Sequence, residues 1–155
     1  MRKLNELYSD VESDVIIKAI KINSKEVEEG DLFVCTMGVT ADRHDFIDDA
    51  IKNGASAIVV SKDVGTKSVP IIKVPNTNKE LPYLCQKFYD YPDHSMKMIG
   101  VTGTDGKTSV ATIIQALISS ELCGYIGTNG RSCAKFTGDN PNTTPDALKK
   151  SVNNE

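Results

Sequence analysis

The sequence lacks the features that would place it in a membrane-spanning, secreted or metal-binding class. No apolar run approaches the roughly 20 residues that a transmembrane helix needs. The first eight residues have no apolar core of the kind that signal peptides carry. The four cysteines form no CxxC pair, so buried free thiols are favoured over a metal site. We therefore expect a cytoplasmic protein.

The chain also lacks an excess of positive charge. Its formal net charge is -3 at pH 7, which gives no reason to expect binding to nucleic acid or to a membrane surface. Hydrophobic residues make up 39% of the chain and charged residues 25%, a balance typical of a globular protein. The length of 155 residues suits one medium domain, or one small domain and part of another.

The most informative stretch is 100–109, where glycines precede a Gly-Lys-Thr triplet. Residues 96–99 before it predict a short strand, and residues 110–118 after it predict a helix. A strand, a glycine loop and a helix in this order bind nucleotide phosphates, because the free N–H groups and the dipole at the helix start favour an anion. Lys107 would then reach the terminal phosphates, and the Thr108 hydroxyl would bind Mg²⁺.

The glycine spacing of this loop departs from the common pattern. That pattern has about four residues between its two glycines, which requires a glycine where this chain has Val101. Gly100 comes one residue too early and Gly103 too late. The loop is therefore a variant phosphate loop. The alternative is a glycine-rich turn with a chance Gly-Lys-Thr triplet, and the flanking strand and helix disfavour it.

Residues 1–94 alternate predicted strands and helices. Apolar or β-branched runs predict strands at 15–22, 32–37, 57–60 and 69–74. Amphipathic patterns predict helices at 3–8, 45–53 and 76–88. The second of these helices should bury Phe46, Ile47, Ala50 and Ile51, and the third should bury Leu81, Leu84, Cys85 and Phe88. The alternation indicates an α/β fold with a parallel or mixed sheet.

The turn-rich segment 89–94 is the expected domain boundary, which gives a first domain at 1–94 and the start of a second at 95–155. The second part has one strand before the phosphate loop and another predicted at 123–126. Two strands cannot complete a nucleotide-binding sheet, so we expect an incomplete ATP-binding domain and a piece of a longer protein. Its apolar edge and face should be exposed unless an oligomer covers them.

Four motifs occur in an informative combination. They are the loop at 102–108, Asn-Ser-Lys at 23–25 followed by 30–34, the segment 38–47 ahead of 53–59, and 125–130 followed by Asn-Thr-Thr-Pro at 142–145. Together they resemble the N-terminal part of the Mur ligase family. The resemblance is strongest to its MurE-type branch, the UDP-N-acetylmuramoyl-tripeptide synthetases. It extends over almost the whole chain and accounts for the offset glycine.

The resemblance implies a fold, a reaction and a set of ligands. The fold is a small uridine-binding α/β domain, then the first strand, phosphate loop and helix of a central domain. The reaction is ATP-dependent amide formation in peptidoglycan precursor synthesis, in which a carboxylate of UDP-MurNAc-L-Ala-D-Glu becomes an acyl phosphate and a diamino acid displaces the phosphate. ATP and Mg²⁺ would be needed, and the small-molecule substrates would be the only partners besides an oligomer.

The resemblance also assigns site residues. ATP would contact Gly103, Thr104, Asp105, Gly106, Lys107, Thr108 and Ser109, with Thr108 on the metal. The UDP-substrate would contact Ile22, Ser24, Val39, Thr40, Ala41, Asn142, Thr143 and Thr144. The family's catalytic residues are expected beyond position 155, so the chain alone should be inactive.

Less specific interpretations stay open for several of these residues. Ser24 also fits a turn at a strand end, and residues 143–145 also fit a helix N-cap followed by proline. His44 and His94 have no metal-ligand spacing and are interpreted as surface or capping residues. For the whole chain, the alternative function is a stand-alone UDP-sugar-binding module without ligase activity.

Overall fold

The computed structural model describes residues 1–38, 42–118, 123–133 and 136–138. They fall into two compact units, Met1–Tyr91 and Pro92–Glu155. The boundary predicted after residue 94 lies within the turn of 3₁₀-helix Pro92–Ser95, three residues beyond the end of the first unit.

The first unit contains six short strands and three helices among its described residues. In chain order they are β1 (Arg2–Lys3), α1 (Leu4–Leu7), β2 (Ile16–Ile17), β3 (Ile20–Lys21), β4 (Leu32–Val34), α2 (Ile47–Lys52), β5 (Ala57–Val60), β6 (Ile71–Lys73) and α3 (Thr77–Phe88). Single turns of 3₁₀-helix lie at Ser24–Glu26 and Arg43–Phe46. The order of elements confirms the α/β prediction.

Strands β3, β4, β5 and β6 form one parallel sheet in that order. The segment 15–22 forms two strands with different partners. Strand β3 belongs to the parallel sheet, whereas β2 pairs with β1 in a separate antiparallel ribbon, with Arg2 opposite Ile17. The carboxyl ends of parallel strands lie at the same edge of a sheet. The loops that follow β3, β4, β5 and β6 therefore all begin at this edge.

The core lies on both faces of the parallel sheet. The side chains of Leu32, Phe33 and Val34 in β4 have no exposure, and β5 is buried along its whole length. This two-sided burial is why both strands read as continuous apolar runs rather than alternating ones. Phe33 and Ile58 pack with Ile47 and Ala50 of α2 in a single hydrophobic cluster.

Helix α3 follows its prediction closely. The Asn76 side chain accepts a hydrogen bond from the Lys79 N–H at 3.0 Å, which satisfies one free donor of the first turn. The predicted apolar side of the helix is buried at Leu81, Leu84, Cys85 and Phe88. Pro82 lies inside the helix and faces solvent.

Helix α2 differs from its prediction at its start. Residues 43–46 form a 3₁₀ turn, so Phe46 lies outside the α-helical register and is 41% exposed instead of buried. Ile47 and Ala50 are buried as predicted. Gly54 follows the helix at φ +107°, the left-handed region expected of a C-terminal cap. A Cβ at Gly54 would lie 2.8 Å from Glu29 Cα, so the backbone also approaches closely there.

The second unit contains α4 (Lys107–Ile118) and the strands β7 (Tyr125–Gly127), β8 (Gly130–Cys133) and β9 (Phe136–Gly138), which pair as an antiparallel meander. The helix after the phosphate loop is confirmed. The strand predicted at 96–99 is wrong, because the structure has no strand at these residues and no described strand pairs with them. Apolar side chains are exposed as expected, including Met98 at 75% and Leu117 at 81%.

Across the portions of the chain that the structure describes, no helix combines the length and the apolar character required to cross a membrane.

Candidate nucleotide-binding sites

The glycine loop leads directly into helix α4. Gly106 has φ +73°, a left-handed conformation that favours glycine, and an added Cβ there would meet nothing within 4 Å. The glycine is therefore required by the backbone conformation rather than by packing. Gly106 O accepts the Val110 N–H at 2.9 Å, which begins the hydrogen-bond series of α4.

The first turn of α4 has the properties of an anion site. Helix geometry leaves the first N–H groups, including those of Lys107, Thr108 and Ser109, without a partner inside the helix. Lys107 Nζ donates to Gly103 O at 2.5 Å and to Thr104 O at 3.1 Å, which places its positive charge at the loop. Residues 102–106 are exposed to solvent. Donors and positive charge thus converge where a phosphate group could approach.

The Thr108 hydroxyl belongs to this same first turn and is partly buried. A hydroxyl beside a phosphate-binding turn is the type of ligand that Mg²⁺ accepts in addition to phosphate oxygens and water. The residues present therefore fit a nucleotide with its metal ion. Among the described residues, no cluster of three or more His, Cys, Asp or Glu side chains forms an all-protein metal site.

The side chain of Gln115 links helix α4 to the meander and to the chain just before it. Gln115 Nε2 donates to Ser132 Oγ at 2.9 Å and to Cys123 O at 3.4 Å. This contact orients the helix that carries the phosphate loop relative to β7 and β8, within the second unit.

The first unit presents polar groups at the carboxyl edge of its parallel sheet, where open α/β sheets bind their ligands. Ser24 follows β3 and is 7% exposed, and its carbonyl oxygen accepts the Asn53 Nδ2–H at 2.8 Å. Ile22 is partly buried beside it. Ser24 is therefore a turn residue at the end of a strand, and it also lies at the edge of the sheet where a ligand is expected to bind.

His44 lies at the same edge, and of its predicted surface or capping position the surface part is wrong. Its residue exposure is 6%, its Nδ1 lies 2.5 Å from Asp42 Oδ1, and its Nε2 accepts the Ser61 N–H at 3.0 Å. Because Nε2 accepts, Nδ1 carries the proton and donates it to Asp42. The signal in the sequence was the Asp-x-His spacing, since Asp42 Oδ1 also caps the 3₁₀ turn through the His44 N–H at 3.0 Å.

Asp42 is the centre of this polar group. Lys62 Nζ lies 2.7 Å from Asp42 Oδ2, and this hydrogen bond, together with those from His44, holds the pKa of Asp42 well below its usual range. The pKa of Lys62 is raised in turn by its bond to Asp42. Burial, aided by the negative charge of Asp42, raises the pKa of the nearby Cys35 thiol to about 12.

The predicted site residues divide between the two units. Gly103, Thr104, Asp105, Gly106, Lys107, Thr108 and Ser109 are brought together in the loop and first turn of the second unit. Ile22 and Ser24 lie together in the first unit. The remaining predicted contacts of the UDP-substrate fall outside the described residues: Val39, Thr40, Ala41, Asn142, Thr143 and Thr144.

Comparison with known families and curated proteins gives consistent matches. The family model described as "Mur ligase family, catalytic domain" matches residues 16–101, and "Mur ligase middle domain" matches residues 101–153. A UDP-N-acetylmuramoyl-L-alanyl-D-glutamate–2,6-diaminopimelate ligase of Oceanobacillus iheyensis is 42% identical over 136 residues, which cover 86% of this chain and 28% of that protein. A UDP-N-acetylmuramyl-tripeptide synthetase of the same organism is 43% identical over 138 residues, 85% of this chain and 28% of that protein.

Solved structures show the same likeness. A MurF ligase from Thermotoga maritima in complex with ADP is 34% identical, with a TM-score of 0.54 over 68% of this chain and 24% of that one. The structure of a UDP-N-acetylmuramoyl-L-alanyl-D-glutamate–2,6-diaminopimelate ligase has a TM-score of 0.73, and the match covers 98% of this chain and 32% of the chain in that structure. Because the sequences are only 22% identical, this second structure supports the fold of the chain and nothing further. The chain spans a little over a quarter of the length of the curated relatives it matches.

Proposed function

The chain belongs to the Mur ligase family, and from this we propose that it supplies the UDP-substrate-binding and ATP-binding parts of an amide-forming ligase. The ligase would join a diamino acid to UDP-MurNAc-L-Ala-D-Glu, a step of peptidoglycan precursor synthesis. The name of the first of these relatives supports this substrate pair and favours 2,6-diaminopimelate as the amine. We propose further that the residues performing the chemistry lie outside these 155 residues.

The second unit would bind ATP through the loop and first turn of α4. The N–H groups at the helix start would hold phosphate oxygens, and Lys107 would move its ammonium from the loop carbonyls onto the terminal phosphates. The Thr108 hydroxyl would hold Mg²⁺, which when bound neutralises phosphate charge. The chain's own contribution is to fix the nucleotide so that its terminal phosphoryl group can meet a carboxylate in line.

The first unit would bind the UDP-substrate at the carboxyl edge of its parallel sheet. Ser24 would contact the uridine end, and Asn53 keeps its backbone in place. By resemblance to the family, Ile22 and residues 39–41 would complete that contact, and Asn142, Thr143 and Thr144 would hold the phosphate and muramyl part.

The observation that carries this proposal is the position of Lys107 over a loop with a left-handed Gly106 at a helix start. Calorimetric titration of the 155-residue chain with Mg-ATP, and separately with UDP-MurNAc-L-Ala-D-Glu, tests it. Binding of both ligands is expected. Release of phosphate from a mixture of ATP, this dipeptide substrate and diaminopimelate is not expected, and turnover would show that the chain holds its own catalytic residues.

A second candidate function is a UDP-sugar-binding module without ligase activity. The observation in its favour is that Met1–Tyr91 has its own four-stranded sheet and buried core. The same titrations separate the two candidates. Micromolar binding of the UDP-substrate with no binding of Mg-ATP would favour the module.

A further inference from the structure

Two residues other than glycine have positive φ directly after helix α3. Asp90 has φ +64° and Tyr91 has φ +53°. Aspartate enters the left-handed region more readily than most residues, but a bulky aromatic residue there is an outlier, and the following Pro92 restricts the backbone of Tyr91 further. Such a conformation persists only where the surrounding contacts hold it. The corner lies at Tyr91, where the first unit ends.

The end of α3 supplies part of that hold. The Tyr91 N–H donates to Gln86 O at 2.7 Å. The Asp90 N–H donates to Lys87 O at 3.4 Å. A helix end closed by these two bonds usually has glycine at the position of Asp90, because glycine adopts the left-handed conformation without steric cost. The helix end alone therefore does not account for an aspartate at this position.

The side chain of Arg2 contacts the corner directly. Arg2 Nη2 lies 3.1 Å from Asp90 Oδ1, and Arg2 Nε donates to Phe88 O at 3.4 Å. One guanidinium thus joins the carboxylate of the corner to a carbonyl in the last turn of α3, where the helix dipole also favours a cation. Strand β1 positions Arg2, since its pairing with β2 places Arg2 opposite Ile17, a residue with no exposure.

We propose that Arg2 is a latch on the connection between the two units. While it is bound, its guanidinium holds Asp90 and Tyr91 in the left-handed region and fixes the direction in which the chain leaves α3. When it is released, both residues can return to ordinary backbone conformations and the end of α3 opens. The Asp90 side chain is 85% exposed, so the latch can open without disturbing the buried core. The inference goes beyond the proposed function and depends on neither nucleotide site.

Residue-resolved amide hydrogen exchange on the 155-residue chain tests the proposal. In Arg2→Ala the Tyr91 N–H should exchange about fivefold faster than in the parent, because an exposed ion pair and a hydrogen bond are lost together. Leu84, in the middle of α3, is the internal reference, and its exchange should change less than about twofold. The matched control is Lys3→Ala, which removes the neighbouring exposed ion pair with Asp14 and should leave the exchange of Tyr91 unchanged.

A double-mutant cycle separates the latch from a general loss of stability. Added to Asp90→Ala, Arg2→Ala should quicken the exchange of Tyr91 by less than about twofold, because the partner of the guanidinium is already absent. Equal acceleration by Arg2→Ala in the two backgrounds would overturn the proposal. So would unchanged exchange of Tyr91 in Arg2→Ala, acceleration of Leu84 by the same factor, or an effect of Lys3→Ala as large as that of Arg2→Ala.

Discussion

The Lys107 ammonium donates a hydrogen bond to the carbonyl oxygen of Gly103 at 2.5 Å, across the loop that leads into its own helix. The lysine thus places its charge beside the free N–H groups of the first turn of α4. A helix start and a side-chain cation each favour an anion, and here both act at the same position. This relationship favours a phosphate-binding loop over a glycine-rich turn that contains Gly-Lys-Thr by chance.

Replacing Lys107 by alanine should weaken the binding of Mg-ATP by tenfold or more. The reason is the loss of a charge-assisted hydrogen bond to phosphate, which contributes about 1.5–3 kcal/mol. Calorimetric titration measures the effect. Lys97→Ala is the matched control, because Lys97 is an exposed lysine ahead of the same loop. Equal affinities of the two variants for Mg-ATP would contradict the assignment of Lys107.

Two glycines with positive φ allow backbone strain to be separated from steric contact. Gly54→Ala should cost more than about 3 kcal/mol of unfolding free energy, because a left-handed conformation costs about 1–2 kcal/mol and the new Cβ would also meet the Glu29 backbone at 2.8 Å. Gly65→Ala should cost only the conformational part, since nothing lies within 4 Å of its Cβ position. Urea denaturation measures both.

A larger loss for Gly65→Ala than for Gly54→Ala would show that the approach of Glu29 to the end of α2 is misplaced.

The stability of the first unit should depend on pH through Asp42. The hydrogen bonds from Lys62 and His44 lower the pKa of Asp42 in the folded state. Asp42 therefore adds to the unfolding free energy at pH values above its pKa in the unfolded chain, about 3.9, and this stabilisation is lost as the pH falls below that value. The unfolding free energy of the parent should therefore fall from pH 5 to pH 2.5. In Asp42→Asn this decrease should be smaller, while Asp49→Asn, at an exposed helix position, should behave as the parent does.

Identical pH profiles for the parent and Asp42→Asn, measured by urea denaturation, would exclude this role for Asp42.

The sequence predicted the elements whose signals are local. The cap at Asn76, the buried side of α3 and the left-handed Gly54 follow from residue types at fixed spacings, and the structure confirms each one. The buried strands β4 and β5 were equally clear, because a parallel sheet covered on both faces needs continuous apolar runs.

The errors concern features that depend on distant partners. Residues 96–99 have the composition of a strand, but a strand requires a neighbour to receive its hydrogen bonds. Phe46 was placed on a helical face that begins one residue later. The sequence predicts a surface or capping position for His44 and does not show its burial, because its two partners, Asp42 and Ser61, meet it only when the chain after β4 returns to the end of β5.

Cysteine reactivity should divide the four thiols into two classes. Cys35 and Cys85 are buried, and the raised pKa of Cys35, about 12, leaves almost no thiolate at pH 8. Cys123 and Cys133 are partly exposed. Brief treatment of the native chain with iodoacetamide at pH 8 should label the second pair, as read by peptide mass mapping, and denaturation should expose all four. Labelling of Cys35 as fast as Cys123 would contradict the fold of the sheet edge.

We propose that this chain binds a uridine nucleotide with its first unit and an adenine nucleotide with its second. An amide-resolved NMR titration of the 155-residue chain tests it most directly. UDP is expected to shift the resonances of Ser24, Met37 and Asp42 and to leave the phosphate loop unchanged. Mg-ATP is expected to shift Gly103 to Ser109 and to leave the sheet edge unchanged. Shifts at the same residues for both ligands, or at neither set, would contradict the account.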